Sequence, residues 1–199
     1  MYTAQDKQSV EQEILHLEEE LRRGKERLSE LRRKVPHHEI EDHLVKSSIG
    51  VDVKLSQLFG SKSEMIVIHN MGRSCSYCTM WADGFNGILK HLENRVACVL
   101  ESPEDPERMR EFAVDRGWTF TIVSSKGTRM RRELGFVGED GADWPGISAL
   151  FKSSDGKIHQ VANASFGPGD NYCVVWDIFD LLPKAMATWD AKHYYSNIR

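Results

Sequence analysis

One stretch limits the fold more than any other: Met65-Ile66-Val67-Ile68-His69, then Asn70-Met71-Gly72-Arg73-Ser74, then Cys75-Ser76-Tyr77-Cys78-Thr79-Met80-Trp81. An apolar, β-branched run reads as a buried strand, a short loop breaks it, and a Cys-x-x-Cys pair opens a helical pattern that continues to His91. Three residues apart in a first helical turn, the two thiols lie on one face and can join as a disulfide with little backbone movement. Cys75 is expected at the helix N-terminus, where unpaired N–H groups and the positive end of the helix dipole stabilise a thiolate and lower its pKa from about 8.5 toward roughly 7 or below. Arg73, two residues upstream, adds a cation to that field. Cys78, one turn further in, is the expected resolving thiol. His69 ends the strand, and its ring is a candidate proton acceptor for Cys78; the simpler reading is a strand histidine that is hydrogen-bonded or exposed.

Three more apolar runs follow: Val96 to Leu100, Thr119 to Val123, and Ile147 to Phe151. Between them, Pro106 to Arg116 reads as a helix with its proline in the first turn, and Thr128 to Leu134 as a shorter one. The order is βαβ and onward, which predicts an α/β domain with a central mixed sheet flanked by helices. Ser154-Asp155-Gly156 turns the last apolar strand back into Lys157 to Val161 as a hairpin, and Tyr172 to Met186 reads as a final helix with a late Pro183. Ahead of the cysteines, Val53 to Gly60 reads as a short strand or turn leading into a helical turn.

The N-terminus is different. From Gln8 to Val35 there is no proline and one glycine, and Ile14, Leu17, Leu21, Leu28, Leu31 and Val35 recur at steps of three and four. This predicts one long amphipathic helix, stopped by Pro36 and weakened as a continuous coiled coil by Gly24 in the seam. It reads either as a helix packed on its own domain or as an arm for a homodimer. Charges of both signs on its other positions fit a solvated face. The expected organisation is a helix over 1–36, a polar connector over 37–48 and the α/β domain over 49–199.

Composition narrows the function. A net charge of -4 in 199 residues offers no general attraction to phosphate, so neither nucleic acid nor an anionic membrane is an expected partner. No apolar run is long enough to span a bilayer and the N-terminus lacks a signal-peptide pattern, so a cytoplasmic protein is expected. Four cysteines are too few for a disulfide scaffold. Cys98 and Cys173 form no second close pair, so no metal and no cofactor are expected, and both read as small buried hydrophobes.

The block from Cys75 to Gly87, with Leu55-Ser56-Gln57-Leu58-Phe59-Gly60, Arg116-Gly117-Trp118-Thr119-Phe120 and Gly146-Ile147-Ser148, resembles the bacterial thioredoxin-like family known as domain of unknown function 899. The similarity covers most of the chain. It implies a thioredoxin-like, peroxiredoxin-like fold and a dithiol–disulfide oxidoreductase, but names no substrate. Two departures stand out. The loop Asn70 to Ser74 is shorter than is usual in that family and carries Arg73. Thioredoxins also place a cis-proline before the strand facing the cysteines, and Pro145 lies close to that slot, a candidate for docking substrate backbone.

Three functions are therefore compared. The first is thiol–disulfide exchange on a protein or small-molecule disulfide, with Cys75 attacking, Cys78 resolving and an external reductant restoring the pair. The second is a thiol peroxidase passing through a sulfenic acid on Cys75, against which stands the absence of the Pro and Thr that peroxiredoxins generally carry upstream; neither occurs between Ile66 and Cys75. The third is a non-catalytic binding or scaffold protein on the same fold.

Overall fold

The computed structural model describes residues 4–187 and 189–196. It forms two units, Met1–Pro36 and His37–Arg199.

The first unit is a single helix, α1 (Ala4–Arg32). Its outward charges pair along the helix, with Glu19 bonded to both Arg22 and Arg23 at 2.7 and 2.8 Å. Beyond Arg32 the chain tightens, Lys34 N–H bonding to Leu31 and Val35 N–H to Arg32, before Pro36 ends the run. The apolar seam is exposed along its length.

The second unit is built on one sheet of eight strands. In chain order they are β1 (His38–Ile40), β2 (Leu44–Ser47), β3 (Asp52–Lys54), β4 (Glu64–His69), β5 (Ala97–Ser102), β6 (Thr121–Ser124), β7 (Gly146–Lys152) and β8 (Ile158–Ser165). Their spatial order is β1-β8-β7-β4-β5-β6-β2-β3. The helices are α2 (Leu55–Leu58), α3 (Ser76–Arg95), α4 (Pro106–Arg116), α5 (Met130–Glu133) and α6 (Val175–Asp180). Strands β4, β5 and β6 run parallel, joined through α3 and α4, while β7 and β8 return antiparallel on the other side of β4. This is the mixed sheet flanked by helices that the apolar runs predicted.

Alternating side chains feed two cores. Ile68, Cys98, Leu100 and Ile122 join Trp81, Phe85 and Leu89 of α3 and Met109 and Ala113 of α4. Met65, Val67, Val99 and Val123 join Leu55, Phe59, Met130, Leu134 and Phe136 on the opposite side. Strands covered on both faces need near-continuous apolar runs, which is why β4 and β5 were legible. Helix α4 starts as its sequence suggests: the Asp105 side chain accepts the Glu107 N–H at 3.2 Å, Pro106 takes the first turn, and Gly117 closes the other end with φ 68°.

Two expectations need correction. The segment 37–48 is not a connector, because it supplies β1, which extends the sheet beside β8, and β2, which pairs with β6 and β3. Those strands have three and four residues, too short for alternation to declare itself. The final helix does not run from Tyr172 to Met186; only Val175–Asp180 is α-helical. Pro183 has no N–H to continue the ladder and its ring collides with the carbonyl four residues back, so the chain tightens through Leu182 N–H to Phe179 O at 2.9 Å. Among the described residues, no helix is long and apolar enough to cross a membrane.

Candidate active site

Strand β4 delivers the chain to the site, and Asn70 fastens the loop that follows. Its N–H donates to Glu101 O at 2.9 Å, extending the β4–β5 pairing by one residue. Its Oδ1 accepts the Gly72 N–H at 2.7 Å, and its Nδ2 lies 3.4 Å from Cys78 O on α3. Gly72 has φ 103°, a backbone conformation that favours glycine; a Cβ there would also meet Glu104 Oε2 at 2.9 Å, a contact that a shift of that flexible side chain relieves. The loop then reaches Cys75, whose N–H returns to Gly72 O at 3.2 Å.

Cys75 is the N-cap of α3. Its backbone is extended (φ −90°, ψ 105°), and its Sγ accepts the Cys78 N–H at 3.1 Å, so the sulfur itself satisfies one of the free donors of the first turn. Cys75 is partly exposed and Cys78 is buried, at 3%. Both are free thiols in the structure. The Cys75 thiol is held at about 7, below its ordinary 9.0, first by a hydrogen bond with the Cys78 side chain and then by the Cys78 and Tyr77 backbone N–H groups, against partial burial. Cys78 is pushed far up by the same contact with Cys75, by burial and by the Cys75 charge, and Arg131 opposes these. One sulfur is therefore primed as a thiolate, while its partner one turn behind keeps its proton.

The other sequence candidates fall differently. His69 does not address Cys78. It is fully buried, its Nδ1 donating to Glu101 Oε2 at 2.7 Å and its Nε2 accepting from Ser148 Oγ at 2.9 Å, with the ring stacked on Phe136 at 3.9 Å. Burial lowers its pKa against the pull of Glu101, so it is the neutral tautomer protonated at Nδ1. Arg73 is exposed, its backbone N–H lies 3.4 Å from Glu104 Oε2, and it is not among the groups that lower Cys75. Pro145 is trans, as are all described peptide bonds. By extension of the β4–β7 register it stands opposite Asn70, and its carbonyl accepts the Phe166 N–H at 3.0 Å. Cys98 and Cys173 lie in the apolar core; burial pushes Cys98 up to about 12 and raises Cys173.

Sequence reasoning missed the groups that hold the cysteine loop from behind. Glu101, buried on β5, receives His69, a short contact from Ser125 Oγ and the Arg131 guanidinium at 2.7 Å. Arg131 also reaches Asn70 O at 3.3 Å, Trp144 O at 2.7 Å and Asp143 at 2.9 Å. Burial pushes Glu101 up, but His69 and Arg131 outweigh it and hold the carboxyl below its usual range. The one available signal was an acid inside an apolar strand. The C-terminal segment also reaches the site: His193 Nδ1 lies 3.3 Å from Thr79 Oγ1, which donates to Cys75 O at 3.0 Å, and Nε2 lies 3.4 Å from Ser74 O. Tyr77 anchors the same segment through Asp190 at 2.8 Å.

Away from the cysteines, Glu41, His43 and Glu133 bring three potential metal-ligand atoms within 4.8 Å of one another. His43 Nε2 is already hydrogen-bonded to Glu133, and Glu41 pairs with Arg129 at 2.7 Å, so the group is satisfied as it stands.

Compared with known families, residues 2–195 match the family described as bacterial protein of unknown function, DUF899. The chain belongs to this family. Among curated proteins, no sequence matches this DUF899 member. Among solved structures it is similar to the peroxidoxin BcpB of Mycobacterium tuberculosis, with a TM-score of 0.52 and 20% identity over 65% of this chain and 84% of that one. It is similar also to a cysteine variant of PrxQ from Xylella fastidiosa, with a TM-score of 0.52 and 13% identity over the same shares. These likenesses establish a peroxiredoxin-like, thioredoxin-like fold for this DUF899 chain.

Proposed function

We propose that the protein is a dithiol–disulfide oxidoreductase. The observation that carries this reading is Cys75 Sγ at the head of α3, accepting the Cys78 N–H at 3.1 Å and partly exposed, with Cys78 buried one turn behind it. The Cys75 thiolate attacks one sulfur of a substrate disulfide; a bond forms between them, the substrate S–S bond breaks, and the first substrate thiolate leaves with the electron pair. Two of the causes that keep Cys78 protonated, its hydrogen bond to Cys75 and the Cys75 charge, disappear once Cys75 is in a mixed disulfide. Cys78 then gives up its proton to solvent and attacks the Cys75 sulfur. The Cys75–Cys78 disulfide forms and the second substrate thiol is released. The substrate has gained two electrons, and an external dithiol returns the pair to its reduced form. A reducing cytoplasm is the compartment that suits this cycle.

The test is a pair of variants. Cys78→Ser should accumulate a covalent adduct with a disulfide substrate, seen as a mass increase reversed by dithiothreitol, while Cys75→Ser should not. Equal behaviour of the two would overturn the assignment of roles.

A second reading, thiol peroxidase, draws on the fold likeness to a peroxidoxin and a PrxQ. In it a peroxide O–O bond breaks on Cys75, leaving a sulfenic acid and an alcohol or water, and Cys78 condenses with that acid to release water. Against it, the loop ahead of Cys75 offers neither Pro nor Thr to hold a peroxide. Consumption of hydrogen peroxide by the reduced protein separates the two.

A further inference from the structure

Helix α1 carries an apolar seam from Val10 to Leu31, followed just beyond its end by Val35, and these large side chains are each between 40% and 65% exposed. Its steps of four and three place Ile14, Leu21, Leu28 and Val35 at one seam position of a heptad and Val10, Leu17, Gly24 and Leu31 at the other. The positions flanking a seam decide which helix can lie against it, and here they divide sharply. Glu11, Glu13, Glu18 and Glu20 flank the N-terminal half; Lys25, Arg27 and Arg32 flank the C-terminal half, with Lys34 in the turn beyond it. The outward face spends its charges within the helix, as in the Glu19–Arg22 and Glu19–Arg23 pairs. Of the flanking charges, Glu11 faces Lys7, Glu20 faces His16 and Arg27 pairs with Glu30, while among the described residues Glu13, Glu18, Lys25 and Arg32 make no ion pair within the chain.

We infer that α1 pairs antiparallel with α1 of a second copy of this chain. Two features choose this partner and this direction. In the antiparallel register that sets Ile14 against the partner's Leu31, the flanking charges meet as Glu11 with Arg32, Glu18 with Lys25 and Glu20 with Arg27, each twice by symmetry and every one of opposite sign. A parallel pair would instead set Glu13 against Glu18 and Arg27 against Arg32, leaving only Glu20 with Lys25 attractive. The glycine points the same way. Antiparallel, Gly24 faces Leu21 of the other copy, and the space where its side chain would be, with nothing within 4 Å, receives that leucine. Parallel, Gly24 faces Gly24 and leaves a hole in the seam.

Sedimentation equilibrium of the full-length protein tests this, with two double variants. Glu18→Lys with Glu20→Lys makes the middle of the seam's flanks wholly basic; Lys25→Glu with Arg27→Glu makes it wholly acidic. The unaltered protein should sediment at twice 22.7 kDa. Each variant alone should associate at least tenfold more weakly, and an equimolar mixture should recover the dimer mass. That recovery also shows that the variant helices still form. A parallel dimer would lose one attractive pair and gain another in the basic variant, which would then associate as the unaltered protein does. That result, or an unaltered protein that stays monomeric, overturns the inference.

Discussion

Replacing Cys78 by Ala removes the group that contributes most to lowering the Cys75 pKa, while the backbone N–H groups of Tyr77 and residue 78 stay in place. The wild-type thiol, at about 7 instead of 9.0, should be about half thiolate at pH 7, whereas an unperturbed thiol would be about 1% thiolate. That is a gain of roughly 50-fold in the reactive form. A lower pKa also makes each thiolate a weaker nucleophile, and with a Brønsted slope of about 0.4–0.5 two pKa units return nearly a factor of ten. The net advantage at pH 7 is therefore about sixfold, and it grows as pH falls because the unperturbed thiol loses thiolate faster. The assay is the pH profile of alkylation by iodoacetamide, with the modified residue identified by mass spectrometry. Cys78, Cys98 and Cys173 are buried with raised pKa values, so Cys75 should be the site labelled near neutrality. The wild-type rate should climb with pH to a plateau with a midpoint near 7, and in Cys78→Ala the midpoint should move upward without reaching 9.0. A wild-type midpoint near 9, or a variant that titrates like the wild type, would refute the claim that the two sulfurs are coupled at the head of the helix.

Arg131→Met should cost about 3–5 kcal/mol in denaturant unfolding, because it leaves the Glu101 carboxylate buried without its cation; adding Glu101→Gln should recover part of the loss, and simple additivity would argue against the pairing. Gly146→Ala should destabilise by about 1–3 kcal/mol or more, since a Cβ there falls 2.1 Å from Phe136 Cε1 and 2.5 Å from Ala164 O, and an unchanged thermal midpoint would contradict the packing. His193→Ala should raise amide exchange in residues 190–195 while changing global stability by less than about 1 kcal/mol, and unaltered exchange would mean that its contacts with Ser74 and Thr79 do not hold the segment.

What the sequence revealed was local. The Met65–His69 run and the cysteine pair beside it are contiguous, and helix-end geometry follows from residue type alone, so both could be placed without knowing what packs against them. Pro106 and Gly117 punctuate α4 for the same reason. Strands β1 and β2 were illegible because three or four residues in a polar segment take their conformation from the neighbours they pair with. His69, Glu101 and Arg131 come from three separate elements, and only the sheet order brings them together. The strand histidine could be read either as a proton acceptor for Cys78 or as a hydrogen-bonded strand residue, and the partners of its two nitrogens decide for the second. The final helix is shorter than its pattern because Pro183 ends it early, a local effect stronger than a helix with a late proline allows for.

The pair of ionised groups behind the cysteine loop has one more consequence. His69 and the Arg131 guanidinium hold Glu101 below the usual carboxylate range and burial lowers His69, so at neutral pH neither Glu101 nor His69 is poised to take up or give up a proton. In the proposed thiol cycle, protons are then expected to exchange at the partly exposed Cys75, where bulk buffer has access, and not through a reservoir inside the fold.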